Sequence, residues 1–315
     1  MRFPLQQSSH IQHPDTTNIQ RVGVNGDRAF AAVAASGMQA RLYLALLVER
    51  FRRFNQNTFG LPFGESCLQA WLRQWPGAAQ VERFGLPRHN LERRLGGDAL
   101  TLWVRPRDLV QDANHAPRGQ GHRPSSMALI WDGDWDLRRS DLRYGVGTEL
   151  SEVQDIVTHR DRLQDSQVYR RFLRALQEGR PHRSHRQGIS LDSVPRIRTY
   201  LEIYLGFVDD MAADGYQPER ATDPIGVVIS RQGHVLKYRN GRHRLAMTQW
   251  LDLPSIPVRV MHVHRLWWNR VADGATGQAA LDRVCAALSQ CQPQWVPAAS
   301  GAPGQSAQPY VQWPE

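Results

Sequence analysis

Lysine is almost missing from this chain: Lys237 is the single one among 315 residues, so nearly all of the 39 basic side chains are arginine. The net charge of +9 favours anionic partners. GC-rich coding produces such an arginine excess as readily as phosphate contacts do, so the charge describes a field and does not locate a site. Cysteine is scarce as well. Cys67, Cys285 and Cys291 are too few and too scattered for a disulfide framework or a zinc site, which makes a reducing cytoplasm the expected compartment. No stretch reaches about eighteen uncharged apolar residues, so no membrane span is expected. The opening MRFPLQQSSHIQHPD has no apolar core ahead of a small-residue cleavage site, which argues against secretion.

What is present reads as a soluble globular chain, 41% hydrophobic and 22% charged, with 19 Pro and 25 Gly that point to long loops. Residues 1–27 are polar and loop-like, and 28–97 form a helical region. Ala29 to Phe54 is a strong helix whose apolar run is interrupted by Arg41, Glu49 and Arg50. It suits a core or interface helix better than membrane contact, with the basic end ERFRRF facing solvent. Shorter helices follow, broken at Pro62, Pro76 and Pro87. Leu100 to Val110 and Met127 to Trp131 read as strands separated by a long loop. Leu150 to Glu178 and Val194 to Gly215 carry helical apolar periodicity and form an insertion over 150–215 within a domain spanning 98–270. Val271 to Leu288 makes a last helix within 271–291, and 292–315 has the composition of a disordered tail. The fold class expected is α/β (α+β): a small mixed sheet with a helical N-terminal region and helical insertions.

The densest chemistry lies between Asp223 and Val260. Ile225 to Ile229 and His234 to Tyr238 read as a hairpin around Gln232-Gly233, Asn240-Gly241 breaks the second strand, and Arg242 to Leu251 is a helix with Leu245, Ala246 and Trp250 on its apolar face. Ile256 to Val263 returns as a strand. The first turn of a helix leaves backbone N–H groups unpaired at the positive end of its dipole, so an anion is stabilised there. Gly241 permits close approach, Arg242 and Arg244 supply planar forks, and His243 supplies a donor whose charge depends on pH. The other reading is a solvated basic turn, which the dipole disfavours.

Asn240-Gly241-Arg242-His243-Arg244-Leu245-Ala246, with the hairpin before it and Ile256-Pro257-Val258-Arg259-Val260 after it, resembles the signature of the ParB/sulfiredoxin-like superfamily. The resemblance covers about forty residues, the size of one supersecondary unit. Leu100 to Leu109 is similar to the opening segment of such domains. It implies a nucleotide, CTP, ATP or ADP, whose phosphates rest at this helix start on Asn240, Gly241, Arg242, His243 and Arg244, and, if turnover occurs, Mg-dependent phosphoryl transfer or nucleotide hydrolysis. Sulfiredoxins carry a cysteine where this chain has Arg242, so sulfinic-acid reduction is not implied. No helix-turn-helix follows Val260, so centromere binding is not implied either.

A second candidate is Asp132-Gly133-Asp134-Trp135-Asp136, at the carboxyl end of an apolar strand. Asp132 and Asp134 could hold Mg²⁺ beside nucleotide phosphates, and Asp132, Asp134 or Asp136 could act as a general base on a small-molecule or protein acceptor. A solvated turn or an N-cap fits the same residues. His262 and His264, two apart on a strand, suit packing better than a metal pair. Trp267-Trp268 suits packing better than base stacking, and Arg180 to Arg186 is a basic loop able to meet phosphate. The alternative function is nucleic-acid binding by the same basic helix start on backbone phosphates.

Overall fold

β-Branched residues and prolines set where strands run and stop, and the computed structural model shows the result for residues 30–33, 43–44, 47–48, 50–51, 54–113, 125–143, 148–184, 189–221, 223–294 and 311–312. Helices α1 (Leu61–Leu72), α2 (Ala78–Arg83) and α3 (Arg88–Leu95) precede strands β1 (Thr101–Val104), β2 (Gln111–Asp112), β3 (Ile130–Trp131) and β4 (Arg138–Asp141). Next come α4 (Glu149–Thr158), α5 (Gln167–Gln177), a small hairpin of β5 (Arg183–Ser184) and β6 (Ile189–Ser190), and the long α6 (Val194–Asp214). The chain continues through β7 (Gly226–Ile229), β8 (Val235–Lys237), α7 (Arg242–Trp250), β9 (Ile256–His264), α8 (Arg265–Ala272), α9 (Gly277–Leu288) and β10 (Val311–Gln312). The main sheet runs β1-β9-β7-β8-β2-β4-β10, with β3 also on β9. It is mixed: β7 pairs antiparallel with β8 and parallel with β9. The class is therefore α/β with a mixed sheet, as the sequence implies. Among the described residues no helix is long and apolar enough to cross a membrane.

Several elements are shorter than their patterns, each for a local reason. β1 stops at Val104 because Arg105-Pro106 turns into a 3-10 segment, Pro106–Asp108, where proline offers no ladder donor. The stretch 150–178 is two helices, the second capped by Ser166, whose Oγ accepts from Tyr169 N at 3.0 Å. The stretch 271–288 also divides. Asp273 and Gly274 take left-handed φ of 46° and 73° and end α8, which starts before the expected boundary, at Arg265 after its N-cap His264. In the tail, Val311 and Gln312 pair with Arg139 and Arg138, and the remaining residues from 295 lie outside those described.

Two cores form. The larger lies on the sheet and takes in α1 and α3 from the N-terminal region, with Trp71 and Trp268 fully buried at its centre. Glu82 accepts from both indoles, at 2.7 and 3.2 Å, and ties α1 and α8 to α2. The second gathers Phe30, Val33, Ile156, Phe172, Ile197 and Leu201 among α4, α5 and α6. α7 sits between them: Leu245 belongs to the sheet core, while Ala246 and Met247 pack on Val153 of α4 and Val208 of α6. Five consecutive residues of α7, Leu245 to Gln249, are buried, so the helix is covered on more than the one apolar face its sequence predicts. Gln249 Nε2 is satisfied by the carbonyls of Pro106 and Leu109 at 3.0 and 3.2 Å.

The N-terminal helix departs from expectation. Its described residues between 43 and 54 are helical, but Tyr43, Leu44, Leu47, Val48, Phe51 and Phe54 are exposed, not in a core.

Candidate functional site

The turn from β8 into α7 is organised around Lys237. Its side chain has no exposure, and its ammonium donates to three successive backbone carbonyls: Tyr238 and Arg239, each at 3.0 Å, and Asn240 at 2.6 Å. Burial pulls its pKa down to about 7, with the Asp112 carboxylate opposing that pull. Asp112 lies opposite Lys237 in the parallel β2–β8 pair. In a planar trans peptide the C=O and the following N–H point in opposite directions. With the carbonyls of 238, 239 and 240 aimed at one buried ammonium, the N–H groups of Arg239, Asn240 and Gly241 therefore point away from it. None of these three N–H groups has a hydrogen-bond partner among the described residues. They run directly into the first turn of α7, whose own N–H groups have no intrahelical acceptors. Consecutive outward N–H groups of this kind are a candidate seat for an anion.

The backbone conformation demands the sequence found there. Arg239 and Gly241 both take left-handed φ, 50° and 83°. A Cβ on Gly241 would lie 2.8 Å from Ile225 Cγ1 and 3.1 Å from Ile225 Cα, so glycine is required by space as well as by φ. Arg239 and Asn240 are exposed, which leaves the seat open to solvent.

The two arginines flank the seat, each held by acids. Arg242 Nη2 bonds the fully buried Asp112, and its Nη1 lies 3.6 Å from Glu149 at the start of α4. Arg244 donates to both the carboxylate and the carbonyl of Asp223, and lies 3.4 Å from the Tyr216 hydroxyl. Both side chains are about three-quarters covered and are thereby preorganised. His243 is placed differently. Its ring meets Tyr204 edge-on at 5.2 Å and lines a narrow crevice with Glu152, Phe172 and Tyr200, where burial lowers its pKa. Only its backbone N–H belongs with the arginines.

The structure does not bring the Asp132–Asp136 segment to this seat. Asp136 accepts from Arg231 N at 2.7 Å, just past the carboxyl end of β7, whereas Asn240 O meets Gly226 N at the other end. Gly226 and Arg231 lie five positions apart along extended chain, about 16 Å. The segment is also consumed by cations: Asp132 pairs with Arg265 at 3.0 Å, Asp134 with Arg231 at 2.7 Å, and the fully buried Asp136 with Arg231 at 2.9 Å. Arg231 and Arg265 offset two of these three negative charges and take up carboxylate oxygens that Mg²⁺ would need, a poor fit for that ion. Among the described residues no group of three or more His, Cys, Asp or Glu is placed to hold a metal. His264 completes the knot. Its Nδ1 accepts from Leu266 N at 3.0 Å and its Nε2–H donates to Gly133 O at 2.8 Å.

His262 stacks on Trp131 at 3.5 Å and bonds Ala128 O at 2.7 Å, and burial drives its pKa to about 3. Trp267 and Trp268 are buried in the sheet core. Of the loop 180–186, Arg183 and Ser184 form β5, Arg180 pairs with Glu178, and His185 and Arg186 lie outside the described residues. The acids that do meet the arginines, Asp112, Glu149 and Asp223, carry no local signal in the sequence. No protein-family model matches this chain, and no curated protein or solved structure matches it.

Proposed function

We propose that this chain binds a nucleotide, CTP, ATP or ADP, with its phosphates on the turn Arg239–Arg244. The observation that supports this most is the inward turning of three carbonyls onto Lys237, which by peptide geometry presents an unbroken run of N–H groups outward into the first turn of α7. Arg242 and Arg244 stand beside that run and exchange Asp112, Glu149 and Asp223 for phosphate oxygens when a ligand arrives. The resemblance of Asn240 to Ala246 to the ParB/sulfiredoxin-like helix start points to the same ligand class. Asp132, Asp134 and Asp136 belong to the opposite end of β7 and serve there as a structural staple.

Thermal unfolding with CTP, ATP, ADP and GTP, each with and without Mg²⁺, tests the reading. A ligand selective for the folded state raises the midpoint by mass action, by about 2.7 kcal/mol of apparent stability at a hundredfold excess over Kd. Arg244→Ala is expected to remove that rise. If no nucleotide moves the midpoint while duplex DNA binds with a steep salt dependence, the nucleotide reading fails and the seat holds backbone phosphate instead.

A further inference from the structure

The crevice that His243 shares with Glu152, Phe172, Tyr200 and Tyr204 takes no part in the phosphate seat. It lies where α4, α5, α6 and α7 meet, and the rest of its wall is aliphatic. Its volume is about 20 Å³, room for a group the size of one water molecule. Three acceptors face this small space. Neither ring nitrogen of His243 has a hydrogen-bond partner among the described residues, and burial lowers its pKa, so near pH 7 the ring is neutral and keeps one nitrogen as an acceptor. Tyr200 and Tyr204 lie one turn apart on α6, and the Tyr200 hydroxyl donates to that of Tyr204 at 3.3 Å, which leaves the Tyr204 oxygen a second lone pair. Glu152 completes the set. Its one ion-pair partner among the described residues is Arg171, at 2.8 Å, and that side chain is 46% exposed, so the pair is easily exchanged.

We propose that the crevice binds the primary ammonium head of a small aliphatic amine, its N–H groups donating to Glu152, His243 and Tyr204 and its alkyl stem lying on the apolar wall. A carboxylate, an imidazole nitrogen and a phenol oxygen around one space call for a guest that only donates, and an ammonium has three donors and no acceptor. It is also close to water in size. A quaternary head is wider and has nothing to donate, and an alcohol brings a single donor and no charge for Glu152. The surrounding charges leave room for a cation. Glu149, one turn before Glu152 on α4, adds a second carboxylate, and both acids act on His243. The two cations that bear on the crevice are engaged elsewhere: Arg171 lies over the Phe172 ring at 5.1 Å, and Arg242 is held by Asp112 and Glu149.

The test is isothermal titration of the full chain with n-butylammonium chloride at fixed ionic strength, beside 1-butanol and tetramethylammonium chloride. Saturable binding of n-butylammonium alone is the expected result. Glu152→Gln keeps the shape of the side chain and removes its charge, and should weaken binding about tenfold or more. Arg171→Gln, which frees Glu152, should strengthen it a few-fold, an opposite sign that loss of packing does not produce. Putrescine and Nα-acetyl-lysinamide, titrated in the same way, tell a free amine from a peptide lysine as the source of the head group. No nucleotide enters the titration, so its outcome is separate from that of the nucleotide reading. Absence of saturable binding overturns the proposal and leaves the crevice to water. Equal binding of 1-butanol overturns it as well, by showing a merely apolar slot, and so does unchanged affinity in a Glu152→Gln variant whose unfolding midpoint matches the parent.

Discussion

Lys237 combines a desolvated amine with three carbonyl acceptors, and its effect on stability has a definite sign. Its folded pKa, about 7, lies below the ordinary lysine value of 10.5. Between those values the unfolded chain binds the extra proton, so stability rises with pH from about 7 toward 10.5. The gain is at most on the order of 5 kcal/mol. Urea unfolding across that range reads it, and Lys237→Met should flatten the slope while loosening the turn. Gly241→Ala is expected to cost about 2 kcal/mol, from left-handed strain plus the encounter with Ile225, and to abolish the nucleotide-induced rise in midpoint. A stability loss with nucleotide response intact would show that the turn's geometry does not govern binding.

The hairpin–α7–β9 unit was legible to within a residue or two, since β-branched alternation, Gln232-Gly233 and Asn240-Gly241 are all local signals. The partners of α7 were not. Asp112 meets Arg242 from 130 positions away, and Glu149 arrives on a different helix, so no window of sequence contains both ends of either pair. The Asp132–Asp136 segment shows the same limit: acids spaced to suit a metal are equally spaced to suit Arg231 and Arg265, whose approach only the tertiary fold reveals. His243 likewise follows the helix phase, which turns its ring from the arginines toward Tyr204. Asp112→Asn should destabilise the protein by ~2 kcal/mol, a value discounted for the partial exposure of Arg242, because a buried pair loses one member. It should at the same time strengthen anion binding by releasing Arg242, and isothermal titration with inorganic phosphate or nucleotide would show it. Weakened binding would mean that Asp112 aims the arginine and does not merely hold it.

Across the molecule, the opposite ends of β7 do different work. Asp136 is a fully buried acid that accepts from the backbone N–H and the guanidinium of Arg231, so Asp136→Ala is expected to cost about 3 kcal/mol by leaving Arg231 only the exposed Asp134. Asp134 is largely exposed, and Asp134→Ala should change stability by less than about 1 kcal/mol and leave the nucleotide response untouched. Loss of that response would return the segment to the site. α7 joins the sheet core through Leu245 and the α4–α6 layer through Ala246 and Met247, so a ligand bound at its first turn is expected to stiffen both together. The solitary lysine has a practical corollary. With its one ε-amine sealed under the β8 turn, the folded chain offers activated esters no exposed lysine, and the rate at which such an ester marks Lys237 becomes a clock for the opening of that turn.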